Sequence, residues 1–301
     1  MSKVLKIVLI SVLVVVLLVG GTMTVLYFFG PKGKSRNDIN NVPVDNTYID
    51  GDTKKIADCT PNESLFIMAY NLKNLNNYYA TVSGEVDAGI YKQTVSGEKY
   101  KSGDDSLYVS RSTSLLKNTG DQLFIEGDVV LVRHGDPKTN VFEDVTEKYT
   151  LKEYLKEYGT DYREVSNYDL KESNITESKL VSAADGIYTY RYEINVETGV
   201  DAYCVNMAKM GNLSQVPTFI KSTLEVSMTE DFMPISVTQT DEYKVVMLLE
   251  LTCRSTLVQK FEIINADAVV IPEPDFSGQD STKGERKDRL KGLRSRIFND
   301  K

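Results

Sequence analysis

TFIKSTLEVSM (residues 218–228), MPISVTQT (233–240), EYKVVMLLELTC (242–253) and LVQKFEII (257–264) follow one another, separated by Thr229-Glu230-Asp231, Asp241 and Arg254-Ser255. Apolar and polar residues alternate along these segments, so every second side chain shares a face, and breaks this short join antiparallel neighbours. The stretch reads as a meander of four strands. Leu224, Val226 and Met228 share one face of its first strand, and Met247, Leu249 and Leu251 one face of its third. Val245 to Leu249 is apolar at both parities and needs cover on both sides.

Outward from this stretch the same period recurs at Thr81–Val86, Ile90–Tyr100, Ser106–Ser112, Gln122–Ile125, Val129–His134, Ser178–Ala183 and Ile187–Val196. Short turns at Gly103-Asp104-Asp105, Gly120-Asp121 and Gly127-Asp128 again suit antiparallel pairs, for about eleven strands in all. Helices punctuate them. Thr60-Pro61-Asn62-Glu63 combines a threonine cap, a proline at the first helical position and a glutamate that closes a capping box. Leu65, Met68, Ala69, Leu72 and Leu75 then recur at helical spacing. Thr150-Leu151-Lys152-Glu153 starts a second, short helix that Gly159 ends, and a third runs from Val200 to about Met210, with Tyr203, Cys204, Met207 and Met210 near one face. The fold class is therefore α+β, with an antiparallel sheet packed on two or three helices.

Residues 7–30 include the uncharged run IVLISVLVVVLLVGGTMTVLYFF (7–29), long enough to cross a hydrocarbon core and stopped by Pro31. A cleavable signal peptide is the competing reading, since Lys3 and Lys6 precede the run and Val19 to Thr22 are small. The run continues past that point, however, and no A-x-A-like site follows. The expectation is a single-pass protein of the cell membrane: residues 1–6 in the cytoplasm, the helix as its contact with the membrane, and the domain outside the cytoplasm. Residues 31–59 read as a flexible stalk, 60–275 as the β-rich ectodomain, and 276–301 as a basic tail without fixed structure.

Composition removes several functions. With 35 Lys and Arg against 43 Asp and Glu, the net charge of −8 argues against a nucleic-acid partner. Cys59, Cys204 and Cys253 are too scattered for zinc or a disulfide framework, and the single histidine, His134, rules out a two-histidine metal site. Neither metal nor cofactor is expected. Asn62, Asn174 and Asn212 begin glycosylation sequons, which matter only in a eukaryotic source. Ser96-Gly97-Glu98-Lys99 with Lys101-Ser102-Gly103 imitates the serine–lysine elements of penicillin-binding enzymes. Those elements do not occur within one hairpin, however, and no nucleotide, zinc-peptidase or hydrolase motif is present. The chain reads as a non-enzyme.

The helix end LKNLNNYYA (72–80), leading straight into a strand, and the late hairpin EVSMTEDFMPISV (225–237) resemble the lipoprotein-carrier superfamily of LolA-like and LppX-like extracytoplasmic domains. That resemblance implies a strongly curved half-barrel wrapped over helices, with an apolar ligand such as an acyl chain between them. It supplies no catalytic residue. Soluble carriers lack a membrane anchor and lipid-anchored ones have a lipobox cysteine, whereas this chain has the first and lacks the second. The resemblance leaves two roles, a tethered domain that holds a lipid or lipoprotein ligand or an envelope sensor or assembly protein that binds a protein partner. For the first role the candidate ligand-binding residues are Leu65, Met68 and Leu72 on the first helix and Met207 on the third, facing Leu224, Val226, Met228, Met247, Leu249 and Leu251 on the sheet.

Overall fold

The computed structural model describes residues 44–89, 91–114, 118–136, 141–142, 147–210, 213, 215–246, 250–262 and 269–272. The expected anchor at 7–30, its flanking residues 1–6, the tail at 276–301, Asn212, Met247 and Leu249 lie outside these. Among the described residues no helix is long and apolar enough to cross a membrane.

Twelve strands form one antiparallel sheet: β1 (Asn77–Asp87), β2 (Lys92–Ser102), β3 (Asp105–Ser114), β4 (Asn118–Glu126), β5 (Val129–Asp136), β6 (Val141–Phe142), β7 (Glu147–Thr150), β8 (Ile175–Ala184), β9 (Ile187–Ile194), β10 (Thr218–Thr229), β11 (Pro234–Val246) and β12 (Glu250–Glu262). Their spatial order is β6-β5-β4-β3-β2-β1-β12-β11-β10-β9-β8, with β7 also on β5, and the curved sheet does not close. Each half is a run of sequential neighbours. The halves meet where β1 pairs with β12, from Tyr79 opposite Glu262 to Asp87 opposite Arg254.

Among the described residues three α-helices accompany the sheet: α1 (Pro61–Asn74), α2 (Leu151–Tyr158) and α3 (Asp201–Met210). Both expected capping boxes form, Thr60 with Glu63 and Thr150 with Glu153, and Gly159 caps α2 at φ +80°, in the left-handed region that glycine enters without strain. Helix α1 is not amphipathic in the simple way its spacing implies, because Ser64 to Ala69 are all buried. Its far side is covered by residues 44–59, which the sequence assigned to a stalk. These are held against the domain: Val44 N donates to Gly159 O, Thr47 N to Leu170 O and Ile49 N to Phe66 O, while Ile56 is buried.

The meander holds three strands where four were expected. Asp241 and Arg254-Ser255, read as turns, lie inside β11 and β12 and face each other in the ladder, Asp241 opposite Ser255 and Glu242 opposite Arg254. Asp241 can sit inside because four side chains donate to it: Tyr168 Oη at 2.5 Å, Ser222 Oγ at 2.8 Å, Gln239 Nε2 at 3.0 Å and Ser255 Oγ at 3.4 Å. Burial still raises its pKa above the ordinary aspartate value, with the hydrogen bonds opposing. Gly120-Asp121, also expected as a turn, lies within β4.

Side-chain parity divides the interior into three clusters. The inner face of β1, β9, β10, β11 and β12 packs with α1, α3 and residues 165–170. On β4 and β5 the inner face meets α2 through Leu123, Ile125, Val130, Val132, Tyr154 and Tyr158. The outer face of β3 and β4, through Leu107, Val109 and Phe124, is covered by Ile271.

Candidate functional site

The residues singled out by the sequence meet, but as packing. Leu65, Met68, Leu72, Leu224, Val226 and Met228 are each at most 1% exposed and belong to one cluster with Tyr78, Tyr168 and Tyr192. Met207 and Leu251 lie half-buried on its border, Leu251 opposite Val245. The recesses on the inner face are lined by other residues.

Both recesses flank residues 161–167, the segment that follows the Gly159 cap. It lies against the inner face, with Tyr162 stacked on Tyr108 of β3 at 4.2 Å between ring centroids and Arg163 O accepting from Tyr78 Oη of β1 at 3.4 Å. The segment gives Asp161, Arg163 and Glu164 to one recess and Tyr162, Val165, Ser166 and Asn167 to the other.

The first recess, about 420 Å³, is a polar cleft bounded by the β2–β3 turn, the start of α2 and residues 44–48. Its charges largely answer one another. Arg163 binds Asp161 through Nε at 3.0 Å and Nη2 at 2.7 Å, and Glu164 Oε2 accepts from Tyr48 Oη at 2.8 Å and Asn46 Nδ2 at 3.1 Å. Lys73 lies 4.0 Å over the Tyr48 ring, and Lys101 Nζ donates to Lys73 O at 2.8 Å. Burial, then the Arg163 charge, lowers the Lys101 pKa.

The second recess, about 70 Å³, has an apolar rim and a polar floor. Register explains the floor. Lys99 of β2 stands between Tyr108 of β3 and Ala80 of β1, and Val82, the next inward residue of β1, stands opposite Gln259 of β12. Ala80, without a long side chain, lets the lysine stem cross β1, and Lys99 Nζ donates to Gln259 Oε1 at 2.6 Å. Both residues are more than nine-tenths buried, at 8% and 7% exposure. The Gln259 Nε2 donor has no protein partner, and among the described residues no carboxylate lies within ion-pairing distance of Lys99.

Burial pushes the Lys99 pKa down from 10.5 to about 8, against the smaller pull of the Asp161 and Glu164 carboxylates. Burial likewise raises Tyr162 to about 12. Gly97, the inward residue beside Lys99, admits the Tyr108 ring: a β-carbon there would come within 3.3 Å of that ring and 2.8 Å of Val109 O. Above the floor the rim is formed by half-buried Val82, Val95 and Leu257.

Lys99 and Gln259 escaped the sequence reading because a charged residue at an inward position looks like an error in the alternation rather than a signal. Gly97 within a strand was the one local hint of close approach at this face. Ser96 and Lys99 fall on opposite faces of β2, Ser96 exposed and Lys99 buried, so the serine–lysine imitation has no spatial counterpart. Among the described residues no group of three His, Cys, Asp or Glu side chains could hold a metal, and none of the three cysteines is in a disulfide.

No family model matches this chain, and no curated protein does. Solved structures with some similarity include a DUF1329 family protein from Desulfovibrio piger, 10% identical, TM-score 0.28, covering 74% of this chain and 99% of that one. The ywiB protein from Bacillus subtilis is 7% identical, TM-score 0.20, with 62% and 91% covered. A designed transmembrane β-barrel is 8% identical, TM-score 0.19, with 63% and 98% covered. Scores of this size do not define a shared fold, and the functional reading rests on the geometry above.

Proposed function

We propose that this chain is a membrane-anchored, extracytoplasmic binding domain without enzymatic activity, which holds an apolar or amphiphilic ligand in the half-open recess beside residues 162–167. One observation carries this reading: valine and leucine side chains line the mouth of the recess while a polar floor stays incompletely hydrogen-bonded. Binding pockets combine apolar walls with a few placed polar groups in this way. The resemblance to lipoprotein carriers agrees with it, but the ligand moves from the helix–sheet interface, where Leu65 and Val226 are packed, to the inner face of β1, β2 and β12.

Native mass spectrometry of the full chain, purified in detergent without added lipid, is the test. The wild type should retain an apolar molecule and Val95→Trp, which fills the mouth, should not. A ligand-free wild type would end this reading.

One observation favours a protein partner instead. Strand β8 is a sheet edge, and Leu180, Val181 and Ile187 of the β8–β9 hairpin are 50%, 51% and 40% exposed, an arrangement that an added strand would cover. On that reading Leu180→Lys with Val181→Lys abolishes crosslinks formed by the full chain in cells, and Val95→Trp leaves them intact.

A further inference from the structure

We infer that Lys99 and Gln259 form a carboxylate-recognising subsite, which takes the head of a monocarboxylate whose hydrocarbon chain leaves over Val82, Val95 and Leu257. The inference rests on the proposed function and names its ligand class. Its ground is a mismatch between two neighbouring groups: a buried cation with no carboxylate at ion-pairing distance among the described residues, next to a buried amide donor with no partner at all, both bordering the same recess. Buried donors in folded proteins are nearly always satisfied, so the unpartnered Gln259 amide, beside an ammonium whose one hydrogen bond goes to the same glutamine, marks a place for acceptor oxygens.

The complement is specific. Two donors side by side, one charged, suit the two oxygens of one carboxylate, and charge-assisted hydrogen bonds are the stronger kind. An alcohol head would give up the charge and one acceptor. A volume of about 70 Å³ admits a head group and little more, so the chain must lie outside it, along the apolar rim. Tyr108 and Tyr162, stacked beside the ammonium, wall the site from the polar cleft.

The experiment compares octanoate with octanol on the full chain in nanodiscs, using radiolabelled ligands and protein-free nanodiscs as the blank. Wild-type protein should bind octanoate about tenfold or more tighter than octanol, the difference a charge-assisted bond to a buried group supplies. Lys99→Met, and independently Gln259→Leu, should bring octanoate down toward the octanol level, with a smaller loss for octanol, so that the preference for the carboxylate disappears. Acetate in excess should displace octanoate and not octanol. Equal binding of the two ligands, or octanoate binding that survives Lys99→Met, overturns the subsite while leaving the apolar-ligand reading in place. Binding of neither ligand overturns that reading and the subsite with it.

Discussion

Lys99 shows what a single buried charge does to this protein. Its ammonium has one hydrogen bond, to Gln259, and burial lowers its pKa from 10.5 to about 8. A shift of that size, at about 1.4 kcal/mol per unit, means that the charged form costs the fold on the order of 3 kcal/mol. The sign follows from proton counting. Between pH 8 and 10.5 the unfolded chain holds this proton more firmly than the folded one, so the Lys99 contribution to stability rises with pH through that window and is most unfavourable below it. Lys99→Met keeps the packed stem and removes the charge. It should therefore raise the melting temperature at pH 7, with the gain fading by about pH 10.5. Paired thermal melts at the two pH values check this, and a variant less stable than the wild type at pH 7 would contradict it. Stability gained at the expense of binding is the usual mark of a residue kept for function.

At the scale of elements, β10 belongs to the packing and not to the proposed binding recess. Leu224, Val226 and Met228 alternate along one face as expected, and that face is filled by α1, α3 and the tyrosines of the large cluster. Val226 is fully buried, so Val226→Phe should overpack the cluster, cost about 1–3 kcal/mol in chemical denaturation, and leave occupancy of the Val82–Val95–Leu257 recess unchanged. Loss of bound ligand with unchanged stability would return the ligand to the helix–sheet interface. Elements whose signals are local were legible in the sequence: both capping boxes, the Gly159 stop and the inward trio of β10. Elements whose character depends on a distant partner were not. Asp241 looks like a turn until Tyr168, Ser222, Gln239 and Ser255 are brought around it, and Arg254 does so until Glu242 stands opposite. The recess was illegible for the same reason. Its floor joins β2 to β12, 160 positions apart in the chain, and its wall comes from the segment after α2.

The whole molecule depends on one long-range seam. Strands β1 to β6 and β8 to β12 each form from sequential neighbours, with β7 returning to β5, and among the described residues only the pairing of β1 with β12 makes them one sheet. The large cluster crosses that seam, since Tyr78 and Ala80 come from β1 while Tyr190, Tyr192 and Leu224 come from the other half. The recess lies across it too, so the proposed ligand, held there, would link its binding to the union of the halves. Gly84 sits on the seam opposite Leu257, and a β-carbon there would collide with the Thr256 carbonyl oxygen and come within 2.7 Å of the Leu257 side chain. Ala at this position must force the two strands apart, because a backbone oxygen cannot swing away as a flexible side chain can. Gly84→Ala should therefore destabilise the protein by about 1–3 kcal/mol, a typical cost of overpacking, and weaken ligand retention together with stability. If the sheet folds as one unit, the variant unfolds in a single transition, with far-ultraviolet dichroism and tyrosine fluorescence coincident at a lower midpoint. Two separated transitions, one unchanged from the wild type, would show that the halves are stable alone and that β1 and β12 merely dock.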